Sequence, residues 1–380
     1  MKKKPVIAIL ANYPTWLLCD QIPSRIGHYG VWHVAMHEAF AGTEEFEFHR
    51  IVLDSEVKER IDFEDKGTFF HVLPRTNRKI GLFTAYASDR IRVHRLLKQI
   101  KPDLVHIWGT EFSYGLCGMD FKGKRLFSLQ GILTAIGERT SISRFERIHS
   151  LLYEKCVLRA MPAITTESEW ARDRVLELAP LAQIRLWDYA VEERFFDSSR
   201  GLESSPACLM GASNHPGKNH KLAIAAFSRP ELRHVKLYLA GEKPANYEKL
   251  PSNIIALGRV SRDKMVELLS KVWCVIHPSL ADTGPTIIKE ARVVGVPCIA
   301  THDCGAKRYI VQGKSGFVIN SRSEQQLVDA VLTITKDAAT SLCMGEYDWQ
   351  RCRLALTGST MVENIRTIYK NMLSGNDCNN

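Results

Sequence analysis

The stretch HPSLADTGPTIIKE, residues 277–290, connects an apolar run to an amphipathic segment. Asp282 lies in the loop before Pro285, and Glu290 lies eight positions later in the segment that follows. If a helix begins at Thr286, its free N–H groups point into this loop, and such groups bind anions such as phosphate. Glu290 then falls on the same side of the helix, about one turn further on, because about 3.6 residues complete a turn. The stretch therefore predicts a phosphate-binding turn with two carboxylates for sugar hydroxyls.

Apolar runs of strand length alternate with helical patterns along the rest of the chain. The predicted strands are Val6–Leu10, Phe46–Leu53, Leu104–Trp108, Leu126–Leu129, Ala163–Thr166, Ile184–Trp187, Ala207–Met210, Lys236–Ala240, Asn253–Leu257, Trp273–Ile276 and Pro297–Ala300. The predicted helices are Val31–Ala41, Tyr86–Ile100, Arg144–Arg159, Glu167–Leu178, Asn219–Phe227, Arg262–Ser270, Thr286–Val294, Ala306–Gln312 and Glu324–Thr333. This alternation predicts parallel sheets with helices on both faces. Because 380 residues exceed one ordinary core, we expect two such domains, with the polar stretch Asp197–Pro206 as the linker.

The composition, 45% hydrophobic and 24% charged, is that of a soluble globular protein. No apolar run approaches the ~20 residues of a membrane span. The apolar run Val6–Ala11 is too short for a signal peptide and is interpreted as the first strand. Ten cysteines without CxxC spacing favour a reducing compartment and no disulfide framework.

The net charge of +9 is unevenly distributed. Between Arg75 and Lys101, eight basic residues accompany a single acid, Asp89. This pattern is typical either of a solvated helix face or of a surface that contacts anionic lipid headgroups or an anionic acceptor, and both interpretations stay open. Nucleic acid is disfavoured as a partner because no nucleic-acid-binding motif accompanies the charge.

The segment from His277 to Asn320 resembles the donor-site signature of retaining GT-B glycosyltransferases of family 4. That signature has two acids separated by seven residues, a Gly-x-Pro turn into a strand, and a later glycine-containing tail. Asp282 and Glu290, Gly295-Val296-Pro297, and the stretch from Gly313 to Val318 match these parts. The first acid of the family is usually Glu, whereas this chain has Asp.

The resemblance implies an α/β fold of the GT-B type, with two Rossmann-like, doubly wound parallel-sheet domains that face an interdomain cleft. It implies an N-terminal acceptor-binding domain at residues 1–190 and a C-terminal nucleotide-sugar-binding domain at residues 191–355. A C-terminal helix at residues 356–373 is expected to cross back to the first domain. The tail, residues 374–380, is expected to be disordered.

The resemblance also assigns the donor site to the second domain. It implies that Asp282 binds the donor sugar, Glu290 the ribose and Lys218 the diphosphate, and these three are the predicted catalytic residues. The other predicted donor-binding residues are Gly211, Asn214, Arg259, Thr283, Gly284, Pro285 and Thr286. The family usually has an arginine where Ala212 or Ser213 stands, so Lys221, Arg259 or a metal ion is the candidate to supply that charge.

Acceptor or sugar-binding residues are predicted on loops of the first domain. One such loop resembles the glycine loop of the family, a second follows the strand that ends in a His and a Trp, and a third has a glutamine where relatives often have a histidine. For the histidine at the strand end, a core position is the alternative. The predicted residues are Gly27, His28, Tyr29, Gly30, His106, Trp108, Glu111 and Gln130.

The resemblance implies a hexosyltransferase-type enzyme (EC 2.4) that moves a sugar from a UDP- or GDP-linked donor to a glycan or lipid-linked acceptor, with retention of configuration. Surface polysaccharide or glycolipid synthesis is the expected setting. No cofactor is expected besides the nucleotide sugar as co-substrate, and a metal ion is not expected to be required. Lys218 and the helix N-terminus are expected to stabilise the leaving diphosphate. We expect a cytoplasmic protein with peripheral contact to the inner face of an anionic membrane through Arg75–Lys101.

Two other functions remain open. A nucleotide-sugar epimerase has a GT-B-like architecture, but it needs acid–base residues around the sugar, and no clear cluster of that kind is evident. A catalytically degenerate binding protein of the same fold fits the missing arginine and the Asp at position 282. The retained Lys218, Asp282 and Glu290 argue against it.

Overall fold

A computed structural model describes residues 3–23, 30–110, 112–135, 144–211, 215–241 and 250–375, except for the side chains of residues 145, 146 and 150. The described chain forms two compact units. Unit 1 consists of the described residues up to Tyr189 together with those from Gly358 onward, and unit 2 consists of Ala190–Thr357. The chain leaves unit 1 after Tyr189, which is one residue before the predicted boundary after residue 190.

Unit 1 contains a sheet that is parallel except at one edge. Its described strands are β1 (Val6–Leu10), β2 (Glu47–Asp54), β3 (Ile61–Asp65), β4 (Thr68–Pro74), β5 (Leu104–Trp108), β6 (Lys124–Ser128), β7 (Ile164–Thr166) and β8 (Ile184–Leu186). The strand order is β3-β4-β2-β1-β5-β6-β7-β8, and β3 pairs antiparallel with β4. β1 and β5 are buried along their whole length, as central strands of a parallel sheet covered on both faces are.

The β3–β4 hairpin was not predicted from the sequence. Its turn is the dipeptide Lys66-Gly67, and both residues have a positive φ, 48° and 78°. Two consecutive residues in this conformation form the tight turn that matches the twist of a hairpin. The signal in the sequence was the alternation of apolar and acidic residues in β3, Ile-Asp-Phe-Glu-Asp, followed directly by the turn.

Unit 2 contains a parallel sheet with the doubly wound order. Its described strands are β9 (Ala207–Gly211), β10 (Lys236–Ala240), β11 (Ile254–Gly258), β12 (Cys274–His277), β13 (Cys298–Thr301) and β14 (Gly316–Ile319). They are arranged β11-β10-β9-β12-β13-β14, which is the 3-2-1-4-5-6 order of dinucleotide-binding sheets. The order reverses between β9 and β12, and ligands of such sheets bind at the carboxyl ends of the strands beside that point.

The helices pack on the faces of the two sheets. Their described bounds are α1 (Val31–Ala39), α2 (Arg78–Thr84), α3 (Ala87–Ile100), α4 (Tyr114–Met119), α5 (Arg144–Ala160), α6 (Glu169–Leu178), α7 (His220–Ser228), α8 (Arg262–Lys271), α9 (Thr286–Val294), α10 (Glu324–Ile334), α11 (Ala338–Glu346), α12 (Trp349–Ala355) and α13 (Gly358–Ser374). The predicted helix at Ala306–Gln312 is a shorter 3₁₀ segment, Gly305–Tyr309. Within the described ranges, no helix combines the length and the apolar character that crossing a bilayer requires.

The last helix, α13, belongs to unit 1 although it follows unit 2 in sequence. Tyr369 is buried, and its hydroxyl lies 2.6 Å from Nδ1 of His106. At the surface, the Lys370 ammonium donates to the Glu45 carboxylate at 2.8 Å. The helix is therefore attached to unit 1 by a buried hydrogen bond and by an exposed ion pair.

The stretch Asp197–Pro206, predicted as the linker, is instead part of unit 2. Arg200 attaches it there, because its guanidinium donates to the carbonyl of Gly295 and, at 2.9 Å, to the carbonyl of Val272. Burial lowers the pKa of Arg200 to about 10. The polar composition of this stretch resembled that of a linker. The stretch is held in unit 2 by Arg200, which satisfies two backbone carbonyls there.

Gly316 at the start of β14 provides a test of this architecture. Its φ is +145°, and a Cβ there would stand 1.8 Å from the carbonyl oxygen of Cys298. We predict that Gly316→Ala lowers the free energy of unfolding by about 3 kcal/mol, because backbone strain and a steric clash add. Chemical denaturation measures this. The control Gly201→Ala, at a position with no atom within 4 Å, should stay within about 0.5 kcal/mol of the parent; equal losses in both variants would contradict the β13–β14 pairing.

Candidate active site

The loop that follows β12 is held in place by its own backbone. The Asp282 N–H donates to the Asp303 carbonyl at 3.0 Å, and the Asp282 carbonyl accepts from the Gly305 N–H at 2.8 Å. The Thr301 hydroxyl donates to the Ser279 carbonyl at 2.6 Å. The loop is thus attached to the end of β13, so the position of the Asp282 side chain is set by the sheet rather than by a free loop.

The loop that follows β9 is attached to the β12 loop in turn. The Gly217 carbonyl accepts from the Leu280 N–H at 2.8 Å and from the Ser279 hydroxyl at 2.9 Å. Asn219, in the left-handed conformation, donates through its side-chain amide to the Pro278 carbonyl at 3.0 Å. These bonds place Lys218, between Gly217 and Asn219, directly against the β12 loop.

Lys218, Asp282 and His277 form one cluster at the carboxyl ends of β9 and β12. The Lys218 ammonium donates to Oδ2 of Asp282 at 2.6 Å, and Nε2 of His277 lies 2.9 Å from the same oxygen. The Asp282 side chain keeps a small exposed fraction and that of Lys218 a larger one, 12% and 28%. The structure therefore brings together two of the three predicted catalytic residues and leaves both accessible to a ligand.

The electrostatics of this cluster fix the protonation states. Burial by itself raises the pKa of Asp282, but the attraction of Lys218 and the hydrogen bond with His277 outweigh it and bring that pKa well below its usual range. Burial lowers the pKa of His277 despite the neighbouring carboxylate. At neutral pH the histidine is therefore uncharged. Because an ionised carboxylate can only accept, Nε2 of His277 carries the hydrogen and donates a hydrogen bond to Asp282.

Helix α9 begins at Thr286, directly after Pro285, which confirms the predicted helix start. Proline has no side-chain hydrogen-bonding group, so it leaves the N–H groups of the first turn without a side-chain cap from that position. At the neighbouring strand end, Gly211 faces Ile287, and a Cβ at Gly211 would stand 3.2 Å from that side chain. The backbone of β9 thus lies close to the first turn of α9, which narrows the space around the helix N-terminus.

Glu290, the third predicted catalytic residue, has a different partner. It is buried in the second turn of α9, and its carboxylate accepts from the Arg262 guanidinium. Arg262 also donates to the Glu192 carboxylate at 2.6 Å, and its guanidinium lies 4.8 Å from the centre of the Phe195 ring. Burial alone lowers the pKa of Arg262, but the two carboxylates outweigh this and raise it above its ordinary value.

The remaining donor-site predictions are placed as follows. Arg259 is exposed one residue after β11, Thr283 is buried beside Asp282, and Gly284 is partly buried in the same loop. Asn214 lies outside the described residues, as do Ala212 and Ser213, the positions of the missing arginine. Lys221, in the first turn of α7, is exposed.

In unit 1 the predictions for His106 and Trp108 as acceptor-binding residues need correction, because both side chains are buried in the core. The two ring nitrogens of His106 lie 2.6 Å from the Tyr369 hydroxyl and 2.7 Å from the Ser128 hydroxyl. Burial brings the pKa of His106 well below its usual range. The alternative of a satisfied core histidine is therefore the correct one.

Gln130 is partly buried just after β6, and its amide nitrogen lies 2.9 Å from Nε2 of the buried His33 in α1. Gly30, directly before α1, has a φ of +54°. Both positions lie at loops that follow strands, where the prediction placed them. Four further predictions fall outside the described residues, namely Gly27, His28, Tyr29 and Glu111.

Sequence reasoning missed three residues of the unit 2 site: His277, Arg262 and Glu192. His277 is the last residue of β12, so its position immediately before the loop was the available signal. Arg262 and Glu192 come from segments distant in sequence and meet Glu290 only in the fold, so no local pattern identified them. In the described part of the chain, no group of three or more His, Cys, Asp or Glu side chains is arranged to hold a metal ion.

The Arg262 pairing leads to a stability prediction. Arg262→Gln removes the cation that pairs with buried Glu290 and leaves Glu192 with Arg194, 3.5 Å away, so we predict a loss of about 3 kcal/mol in the free energy of unfolding near pH 8. The loss should shrink near pH 5, because a buried carboxylate that has lost its cation binds a proton more readily in the folded than in the unfolded chain. Urea denaturation at both pH values measures it. Lys264→Gln, which removes an exposed ion pair from the same helix, should leave stability unchanged; a loss independent of pH would contradict the pairing.

The match to a known protein family falls within unit 2. Residues 193–350 match the family model described as "Glycosyl transferases group 1". A putative colanic acid biosynthesis glycosyl transferase, WcaC of Escherichia coli K12, is 29% identical over 121 residues, 32% of this chain and 29% of WcaC. The lipopolysaccharide glucosyltransferase WaaG of the same organism is 30% identical over 115 residues, 28% of this chain and 31% of WaaG. The chain thus spans less than a third of the length of either relative.

Solved structures resemble the whole chain. A sucrose-phosphate synthase from Thermosynechococcus elongatus superposes with a TM-score of 0.82 at 14% identity, over 98% of this chain and all of that one. Alr3699/HepE of Anabaena, in complex with UDP-glucose, superposes with a TM-score of 0.68 at 14% identity, over 96% of this chain and 99% of its own. The chain therefore has the GT-B glycosyltransferase fold of two parallel-sheet α/β domains, and its residues 193–350 carry the match to the glycosyl transferases group 1 family.

Proposed function

We propose that this protein is a retaining glycosyltransferase that moves a sugar from a nucleotide-sugar donor to a glycan or lipid-linked acceptor. The observation that carries the proposal is the meeting of Lys218 and Asp282 at the carboxyl ends of β9 and β12. That point is the reversal of strand order where doubly wound sheets bind nucleotides. A cation, a carboxylate and an uncapped helix start are the groups that a sugar diphosphate needs for recognition.

Donor binding on this account exchanges the partner of Lys218. In the structure the ammonium pairs with Asp282. A diphosphate at the first turn of α9 brings more negative charge than one carboxylate, so it attracts Lys218 and frees Asp282 to accept hydroxyls of the donor sugar. His277, whose Nε2 donates to Asp282, keeps the carboxylate in position during this exchange.

Glu290 is proposed to bind the ribose hydroxyls of the donor. Its carboxylate lies in the second turn of α9, and Arg262 at the start of α8 holds it. A hydrogen bond from a charged donor fixes the orientation of a carboxylate better than a neutral one does. We therefore regard Arg262 as a positioning residue for Glu290, with Glu192 holding Arg262 from its other side.

The chemistry proposed needs little covalent help from the protein. The bond between the anomeric carbon and the diphosphate breaks, and Lys218 with the N–H groups of α9 stabilises the charge that develops on the leaving oxygen. The acceptor hydroxyl attacks from the face that the diphosphate leaves, which retains the configuration, and its proton passes to the departing phosphate. Positioning and electrostatic stabilisation supply the acceleration, so neither a dedicated base nor a metal ion is required.

The names of the relatives support the proposed setting. WcaC is described for colanic acid and WaaG for lipopolysaccharide, and the HepE structure contains UDP-glucose. A UDP- or GDP-linked hexose is therefore the proposed donor, and synthesis of surface polysaccharide or glycolipid the proposed process. A lipid-linked acceptor of this kind would be used at a membrane, so the proposal includes a cytoplasmic protein in peripheral contact with the inner face of that membrane.

Turnover of the donor tests the proposed role of Lys218. Lys218→Gln should lower kcat/KM for consumption of UDP-glucose or GDP-mannose by roughly 10²–10³-fold, because one charge on the leaving diphosphate is lost. The control Lys271→Gln removes an exposed lysine at the far end of α8 and should keep parental turnover. Product analysis separates the alternatives. Epimerised donor formed without an acceptor would identify an epimerase, and an absence of any turnover in the parent protein would favour a binding protein.

Donor affinity tests the proposed role of Glu290. Glu290→Ala should weaken binding of UDP-glucose or GDP-mannose by about 1–3 kcal/mol, because ribose hydroxyls and the Arg262 guanidinium lose a buried partner. Isothermal titration calorimetry measures the change, and circular dichroism checks that the variant is folded. Glu231→Ala, at an exposed position of the same unit, is the matched control. An unchanged affinity in the Glu290 variant would remove this residue from the site.

A further inference from the structure

His215 caps the short turn that carries Lys218. This turn is the 3₁₀ segment Pro216–Lys218, and Nδ1 of His215 accepts from the Gly217 N–H at 3.0 Å. The His215 carbonyl accepts from the Lys218 N–H at 2.9 Å. The imidazole and the ammonium therefore belong to one turn, although His215 is not among the predicted donor-binding residues.

The turn Pro216–Lys218 is held by the β12 loop as well as by its cap. The N–H group of Gly217 donates to His215, and the carbonyl of the same glycine accepts from Ser279 and from Leu280 of the β12 loop. One glycine thus joins the imidazole to the β12 loop through hydrogen bonds. The loop that carries the Asp282 carboxylate therefore helps to fix the position of the imidazole.

The cap decides which ring nitrogen of His215 carries the hydrogen. A backbone N–H group can only donate, so Nδ1 must accept, and the neutral ring then carries its hydrogen on Nε2. Protonation of the ring would add a hydrogen to Nδ1 and break the bond with Gly217. A hydrogen bond to the neutral form disfavours the charged form, so the cap favours a neutral ring with an Nε2–H donor.

The surroundings of the ring also keep it uncharged. Burial lowers the pKa of His215, the Lys218 ammonium lowers it further, and the Asp282 carboxylate raises it by less. Because both side chains act on it, the imidazole lies near the Lys218–Asp282 pair. His220 and His277 also lie near Lys218, and burial lowers the pKa of both. Of these three histidines, His215 is the one whose side chain is not buried, so it is the one open to a ligand.

The loop after β9 lacks the arginine that the resembling family usually has there. Of the two cations considered as its replacement, Lys221 is exposed in α7, and Arg259 follows β11, which β10 separates from β9. His215 lies on the same turn as Lys218. An N–H donor needs no full charge to bind a phosphate, as the backbone N–H groups at helix starts show. A neutral imidazole can therefore supply a hydrogen bond that the missing arginine does not.

We propose that His215 is a further donor-binding residue, whose neutral ring donates a hydrogen bond from Nε2–H to a diphosphate oxygen of the nucleotide sugar. This assignment rests on the proposed function, because it needs a diphosphate beside Lys218. The ammonium then supplies the charge, and the imidazole supplies a hydrogen bond of fixed direction. A neutral donor also avoids the repulsion that a second cation would meet beside Lys218 before the diphosphate binds.

Two substitutions separate the roles of the two ring nitrogens. Asparagine places an amide oxygen near the position of Nδ1 and is a good capping residue, so His215→Asn keeps the cap and loses the Nε2–H donor. Glutamine places an amide N–H near the position of Nε2, so His215→Gln keeps a donor and loses the cap. The melting temperature reports the cap, and calorimetric titration with UDP-glucose and GDP-mannose reports the bond to the ligand.

The two variants should respond in opposite ways. His215→Asn should bind the nucleotide sugar roughly tenfold more weakly than the parent, because a hydrogen bond to a charged group is lost, and should keep the parental melting temperature. His215→Gln should stay within about threefold of the parental affinity and should melt about 2–4 °C lower. The control His234→Asn, at an exposed position before β10 and so at the opposite edge of the sheet, should match the parent in both measurements.

The protonation state of the ring is measured in the same titrations. Calorimetry in PIPES and in Tris, two buffers with different heats of ionisation, reports whether donor binding takes up protons at pH 7. A neutral His215 predicts no proton uptake that depends on this residue. Uptake in the parent that disappears in His215→Asn would show that a charged imidazole binds the diphosphate and would overturn the proposal.

A purely structural role for His215 predicts the reverse order of affinities. In that case His215→Asn would bind the donor as the parent does, and His215→Gln, which has lost the cap, would bind it more weakly. With donor binding and turnover present in the parent, this result would overturn the assignment of His215 and leave the transferase assignment standing. Failure of the parent to bind UDP-glucose or GDP-mannose would overturn both.

Discussion

The structure depends on one neighbour relation, the pairing of β9 with β12. These strands lie side by side, although β10 and β11 come between them in sequence. The loops at the carboxyl ends of β9 and β12 therefore meet. Backbone bonds from Gly217 to the β12 loop, and from Asp282 to the β13 end, then hold Lys218 and Asp282 at hydrogen-bonding distance. A short ion pair in a position of limited exposure follows from the topology, and we propose that a ligand exchanges with one of its members.

The elements that the sequence predicted best are those with a strong local pattern. β1, β5 and β10 have the predicted bounds because each is a mainly apolar run of strand length. α9 begins and ends at the predicted residues because Pro285 directly precedes its first residue and Gly295 directly follows its last one. The β3–β4 hairpin was missed because its acidic alternation resembles a polar loop. The stretch Asp197–Pro206 was misread because composition does not reveal where Arg200 is bound.

For the site, the sequence identified residues but not their partners. Lys218 and Asp282 could be linked by position after strands, whereas the partner of Glu290 could not, since Arg262 and Glu192 approach it from other segments. His106 shows the opposite error: its place at a strand end suggested ligand binding, and the helix α13, more than 250 positions away, supplies the tyrosine that satisfies it. Burial depends on the whole fold, so a polar residue at a strand end is ambiguous in sequence alone.

The central claim is that one sugar diphosphate binds between Lys218, Asp282 and the first turn of α9. The most direct measurement is a crystal structure of the protein with UDP-glucose. The account predicts diphosphate oxygens within hydrogen-bonding distance of the Lys218 ammonium and of the N–H groups that follow Pro285, with Asp282 released from Lys218 and bonded to the glucose. A nucleotide bound elsewhere, with the Lys218–Asp282 pair intact beside it, would contradict the account.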